Sequence, residues 1–200
     1  MHNTRCPLTW TLALLMATPA LAGPPTVAAP APVSAAAPQA AQPGAIDVRG
    51  DIPKPGPLTL ADVMAMGGQT TTWTLHDKSH TVVGVPLEQV LRRVGWDPGI
   101  MSKSVAPTEK RVGYKRVVVV TARDGFQAVF SAAELTAGMG KTQVFLAWNV
   151  DGKALPPDQG SLRLVVPTDS EPSRSVYQIG RIDVIDMRRI VPTPLAPPAK

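Results

Sequence analysis

The clearest pattern along this chain is a one-sided apolar stripe. Leu87, Val90, Leu91 and Val94 recur at i, i+3, i+4 and i+7, while Glu88, Gln89, Arg92 and Arg93 fall on the opposite face. That spacing predicts a helix from Pro86 to about Val94, with proline at its first position and Gly95 placed to end it. The stripe needs a partner, and Val117-Val118-Val119-Val120-Thr121 supplies one: a continuous apolar run reads as a strand covered on both faces. Asp124-Gly125 then marks a tight turn, with Phe126 to Phe130 running back as the hairpin partner.

Shorter elements surround this centre. Ala45 to Gly50 alternates as a strand, and Thr59-Leu60-Ala61-Asp62 has the form of a capping box that opens a short helix ending at Gly67-Gly68. Thr70 to Leu75 is rich in β-branched and aromatic residues, which favours a strand. Ser131-Ala132-Ala133-Glu134 is a second capping box and predicts another short helix. Strands follow at Gln143 to Asn149, Leu162 to Val166 and Ile179 to Ile185, with a second Asp-Gly turn at Asp151-Gly152 and a polar loop from Thr168 to Ser175. Asp-Gly turns and short strands point to an α+β (mixed α/β) domain on a largely antiparallel or mixed sheet, with short helices.

Composition divides the chain into four parts. Residues 1–22 carry Arg5, the apolar stretch Leu8 to Leu15 and a small-x-small site at Ala20-Leu21-Ala22, which together predict a signal peptide and a periplasmic or secreted product, with an uncleaved N-terminal anchor as the alternative. Residues 23–44 are almost all Ala, Pro, Val and Gln, too poor in apolar bulk to offset chain entropy, and read as a disordered linker. Residues 45–191 form the predicted domain, and 192–200 repeat the proline-rich character as a tail. After the signal no stretch is apolar enough to span a membrane. The net charge of +5 falls to +4 without Arg5. No continuous basic run accompanies it, and export argues against nucleic acid as a partner. The sole cysteine is Cys6, inside the predicted signal, so the mature chain has no thiolate to offer a metal or a substrate.

The ordered landmarks resemble a known family. They are Leu58 to Asp62; Gly84-Val85-Pro86-Leu87 with Val90-Leu91 and Gly95; Ala122-Arg123-Asp124-Gly125-Phe126 with Ala128 to Ser131 and Glu134-Leu135; Asp151 to Pro156; Leu162-Arg163-Leu164-Val165-Val166-Pro167; and Arg174-Ser175-Val176 leading to Arg181-Ile182. Together they resemble the molybdopterin-binding domain of the sulfite oxidase family, in the short form found in exported bacterial proteins. The resemblance implies the sulfite oxidase-like fold, with a mixed sheet whose loops can hold a molybdopterin cofactor. Catalytic members place a cysteine thiolate on the metal, in the segment that here reads Trp73 to His80 without cysteine. Thiolate is the soft donor that suits molybdenum, so its loss separates the fold from the redox chemistry. The basic residue that often follows the loop arginine is also replaced, by Tyr177 and Gln178.

No catalytic or metal-ligating residue is assigned. The candidate cofactor-binding residues are Arg174, Ser173, Ser175, Val85 and His76. The resemblance lays the loop of Arg174 over the cofactor, where its guanidinium can fork onto a phosphate; the alternative is an arginine paired with Asp169 or Glu171 that holds the loop. Ser173 and Ser175 offer hydroxyl donors or simply cap turns. The Gly84-Val85-Pro86 entry to the helix and the His76-to-His80 segment are the expected neighbours. His76 and His80, with Asp77 between them, form either a weak metal site or a polar hairpin tip, and the tip is preferred because a third fixed ligand is lacking. Trp73, Trp96 and Trp148 either stack on a flat ring or belong to the core. Two functions stay open: a non-catalytic binding or accessory module for a pterin-like or anionic small ligand or a partner protein, and a molybdopterin-dependent oxidoreductase that holds its cofactor through loop contacts.

Overall fold

The computed structural model describes residues 44–96, 115–136, 140 and 142–190. The predicted signal, nearly all of the linker and the tail lie outside the described residues. No helix among the described residues is long and apolar enough to cross a membrane.

Among the described residues, ten strands form two five-stranded sheets. In the first, β2 (Gly56–Leu58), β1 (Ile46–Gly50), β10 (Ile179–Asp186), β5 (Arg116–Ala122) and β6 (Gln127–Ser131) lie in that order. In this sheet the β1–β10 pair is parallel and the other pairs are antiparallel. In the second, β3 (Gln69–Leu75) pairs with β4 (Lys78–Pro86) and β4 with β7 (Phe145–Val150). The far edge of β7 is shared by β8 (Lys153–Ala154) and β9 (Arg163–Val165). The expectation of a mixed, mostly antiparallel architecture with short helices agrees with this, although sheet dominates and divides in two.

The helix predicted from the apolar stripe is α2 (Leu87–Arg93), starting one residue late because Pro86 still belongs to β4. Leu87, Val90, Leu91 and Val94 are all buried, in the same cluster as Val118 and Val120 of β5, Phe130 of β6, and Leu146 and Leu164 of the second sheet. The first capping box forms in full: Thr59 and Asp62 exchange side-chain and backbone bonds at the start of α1 (Leu60–Met64).

Two sequence expectations need correction. β5 is not covered on both faces: Val118, Val120 and Ala122 are buried, whereas Val117, Val119 and Thr121 are half-buried. Their outer face lies beside Arg181 and Asp183 of β10, a polar surface on which valine is retained for its strand preference. The second capping box also forms, with Ser131 and Glu134 bonded reciprocally. It does not open an α-helix among the described residues, since 132–136 make turns. The chain folds back there, and the Gly140 N–H donates to the carbonyls of Ala133 and Thr136.

Candidate functional site

Strand β9 and its flanks alternate between two environments. Leu162, Leu164 and Val166 enter the main core, while Val165 joins Trp73, Val82 and Ala147 in a smaller cluster on the other face of the second sheet. Arg163 shares that second face and is only 4% exposed. Reciprocal backbone bonds join Leu164 to Val176, so Tyr177 stands opposite Arg163 and Ser175 opposite Val165. The guanidinium is sandwiched between aromatic rings, 4.8 Å from the Trp73 centroid and 4.4 Å from that of Tyr177. Such stacking stabilises a desolvated cation through the ring quadrupoles.

The hydrogen bonding of Arg163 is incomplete. Its Nη1 donates to Gln159 Oε1 at 2.8 Å, but Nε and Nη2 have no hydrogen-bond partner among the described residues. Those two nitrogens form the fork that takes a carboxylate or phosphate bidentately. On the same face, the buried Oγ of Ser175 also has no partner. Burial pushes the Arg163 guanidinium below the usual arginine range, and the Tyr177 hydroxyl, close by but not within hydrogen-bond geometry of Nε or Nη2, offsets this in part. An arginine nonetheless stays charged, so a buried positive fork faces the outer side of this sheet.

Arg174 is arranged differently. The Thr168-to-Ser175 loop carries a 3-10 turn at Pro172–Arg174. From it, Arg174 Nε and Nη2 donate to the two carboxylate oxygens of Asp169 at 2.8 and 2.6 Å. Nη1 donates to Glu134 Oε1 at 2.6 Å, and the guanidinium lies 4.9 Å above the Phe130 ring. The bonds to Asp169, seconded by Glu134, hold its pKa above the ordinary arginine value against a partial desolvation. Of the two acids named from sequence as loop-holding partners, Asp169 fills the role; the other acid comes from the second capping box.

The remaining candidates are dispersed. Val85 is fully buried in the core on β4. Ser173 is exposed on the loop. His76 and Asp77 form the two-residue turn of the β3–β4 hairpin, with φ of +46° and +62°, the primed geometry that suits a two-residue hairpin. Among the described residues no hydrogen bond or ion pair joins Val85 or His76 to Arg174. His80 points elsewhere, its Nδ1 2.8 Å from Asp151 Oδ2 and its ring 6.0 Å from Trp73. Asp151 also accepts from the Thr81 N–H, and these bonds hold its carboxyl below the usual range. Among the described residues no group of His, Cys, Asp and Glu is placed to hold a metal. Trp73 and Trp96 are buried, and Trp148 packs part-buried against the core.

Sequence reasoning did not single out Arg163 as a site residue. The signal was present: one charged residue interrupts an otherwise apolar strand from Leu162 to Val166. Its meaning depends on Trp73, Gln159 and Tyr177, which only the fold brings together.

No curated protein matches the chain. Among solved structures, the sulfane dehydrogenase SoxCD from Paracoccus pantotrophus is similar at 20% identity with a TM-score of 0.54, over 71% of this chain and 38% of that one. A likeness at that identity speaks for the fold, and the chain spans well under half of the SoxCD chain it matches. The family model of the oxidoreductase molybdopterin binding domain matches residues 35–189, most of the chain, and the protein belongs to that family.

Proposed function

We propose that this domain is a non-catalytic binding or accessory module working outside the cytoplasm, and that it takes the oxyanion of a pterin-like ligand on Arg163. The observation that carries this reading is the buried guanidinium whose Nε and Nη2 lack partners. A buried charged donor without a partner costs several kcal/mol of desolvation, roughly, and persists where something else uses it. A phosphate or carboxylate meets both nitrogens at once, and Ser175 Oγ offers a further donor on the same face. Tyr177, 48% exposed, is the outer member of the stack and the group that has to yield for an anion to reach the fork.

The residues present fit one part of a molybdopterin and not the other. Arg163 suits its phosphate. The hairpin segment where the resemblance places a thiolate carries His76 and Asp77 instead, and the only cysteine is Cys6. Imidazole and carboxylate are harder donors than thiolate. The reading is therefore of ligand binding without metal-centred turnover. Family membership favours the second reading, a molybdopterin-dependent oxidoreductase held by loop contacts, and one experiment separates them.

The exported full chain, expected to begin at Gly23, is purified from a molybdenum-replete host, analysed for metals and titrated with a phosphorylated pterin. Saturable binding without stoichiometric molybdenum is expected, with affinity falling at least about tenfold in Arg163→Met, the scale of one charge-assisted bidentate contact. Unchanged affinity in that variant removes Arg163 from the site. Close to one molybdenum per chain overturns the non-catalytic reading in favour of the oxidoreductase.

A further inference from the structure

A second cation stands at a cavity that the reading above does not use. The cavity measures about 320 Å³ and lies between the β5–β6 turn, the segment before β9 and the start of β10. Leu162 and Ile179, 2% and 4% exposed, give it an apolar floor. Arg123, Ser161 and Gln178 supply its polar groups.

Arg123 is held in place by its neighbours. Its backbone N–H donates to the Gln178 carbonyl at 3.0 Å. Its stem runs over Gly180, where a Cβ would come within 3.4 Å of Arg123 Cγ. The adjacent carboxylate of Asp124 is engaged by the Phe126 N–H, and among the described residues no acid pairs with the Arg123 guanidinium. The opposite wall is equally fixed. Gly160, at φ +80°, lies so close to Gln178 that a Cβ there would sit 2.9 Å from its Cα. Gln178 itself takes φ +46°, an unusual conformation for a side chain of its size, and its Nε2 donates to the Asp158 carbonyl at 2.8 Å. Gln178 is thus a non-glycine residue held in a sparsely populated conformation beside the cavity, a feature found at ligand sites.

We propose that this cavity is a second binding site, for a small amphipathic organic anion: a carboxylate with a short apolar body. The carboxylate meets Arg123, with the second N–H of the Gln178 amide as a supporting donor, while the Ser161 hydroxyl donates to the Gly44 carbonyl at the rim, and the apolar body rests on Leu162 and Ile179. The volume is at the lower end of the range for ligand pockets, which limits the occupant to a small molecule. This site stands independently of Arg163, whose guanidinium faces the other side of the second sheet from the Leu162 side chain.

Hexanoate is the probe, titrated into the full chain and followed by amide chemical shifts. Saturable shifts are expected at Arg123, Ser161, Leu162, Gln178 and Ile179. Arg123→Gln should weaken them at least about tenfold, the effect of losing one charge-assisted contact, and Arg163→Met should leave them unchanged. Arg123 is exposed, so its replacement leaves the fold intact and the spectrum elsewhere serves as the control. The absence of saturable shifts, or equal affinity in Arg123→Gln, overturns the proposal. Loss of phosphorylated-pterin binding in Arg163→Met with hexanoate binding retained confirms that the two sites are separate.

Discussion

Arg163 on β9 and Arg174 on the loop that follows use the same guanidinium fork in opposite ways. At Arg174, Nε and Nη2 reach both oxygens of Asp169, Nη1 reaches Glu134, and the side chain keeps 33% of its surface exposed. At Arg163, only Nη1 is bonded, and the residue is 4% exposed. Stability alone would arrange them the other way, with the buried cation paired and the exposed one left to water. Arg174 ties the loop to the turn after β6 through two acids. Arg163 is held by aromatic rings, which stabilise a cation without occupying its donors, and so keeps a fork in reserve.

Removing Arg174 should have the largest effect on stability. Arg174→Ala leaves Asp169 and Glu134 without their shared partner and should destabilise the protein by about 2 kcal/mol, the scale of half-buried charge-assisted bonds. Denaturant unfolding measures this, and the loss should be the same with or without a phosphorylated pterin. A stability change that appears only with ligand present would return Arg174 to the binding site. Arg163→Met should act in the opposite sense. It replaces a desolvated, incompletely bonded charge with an apolar side chain of similar length, at the loss of two ring contacts and one bond to Gln159. The net change should lie between zero and about 1 kcal/mol of added stability. A loss as large as that of Arg174→Ala would show that the Arg163 stack is structural and would remove the asymmetry between the two.

Much of the fold was legible because its signals are local. The α2 stripe needed only one apolar face, and the Asp151-Gly152 turn needed only residues that accept φ of +51° and +75°. Strand β4 was hidden because Gly84 and Pro86 near its end read as a loop and a helix entry. The structure gives Gly84 another reason: β7 passes so near that a Cβ there would lie 2.5 Å from the Leu146 carbonyl oxygen. The site was less legible. Asp169 is five residues from Arg174 and could be named from sequence, whereas Glu134 is 40 residues away and reaches it only because the chain reverses after β6. In the sequence Arg163 stands as one charged residue inside an apolar strand. Its role rests on Trp73 of β3, from which β4 and β7 separate it in the second sheet, and no spacing rule connects them.

The smallest effect concerns the wall beside Arg163. Asp151 accepts from the Thr81 N–H and bonds His80, whose ring lies near Trp73. The bonds to His80 and Thr81 depress its carboxyl below the ordinary value, so the ionised form is favoured by folding. The sign follows from linkage: this stabilisation is present above the ordinary aspartate range and disappears as pH falls through the depressed value. Asn accepts a left-handed backbone nearly as well as Asp, so Asp151→Asn removes the charge without straining a turn residue at φ +51°. The variant should melt slightly below the parent protein at pH 7, by less than Arg174→Ala, and the gap should close as the pH drops through the carboxylate range. Thermal melts at a series of pH values measure it. A gap that stays constant down to low pH would mean that Asp151 acts through turn geometry alone. Its link to His80 would then contribute nothing to the wall that holds Trp73 against Arg163.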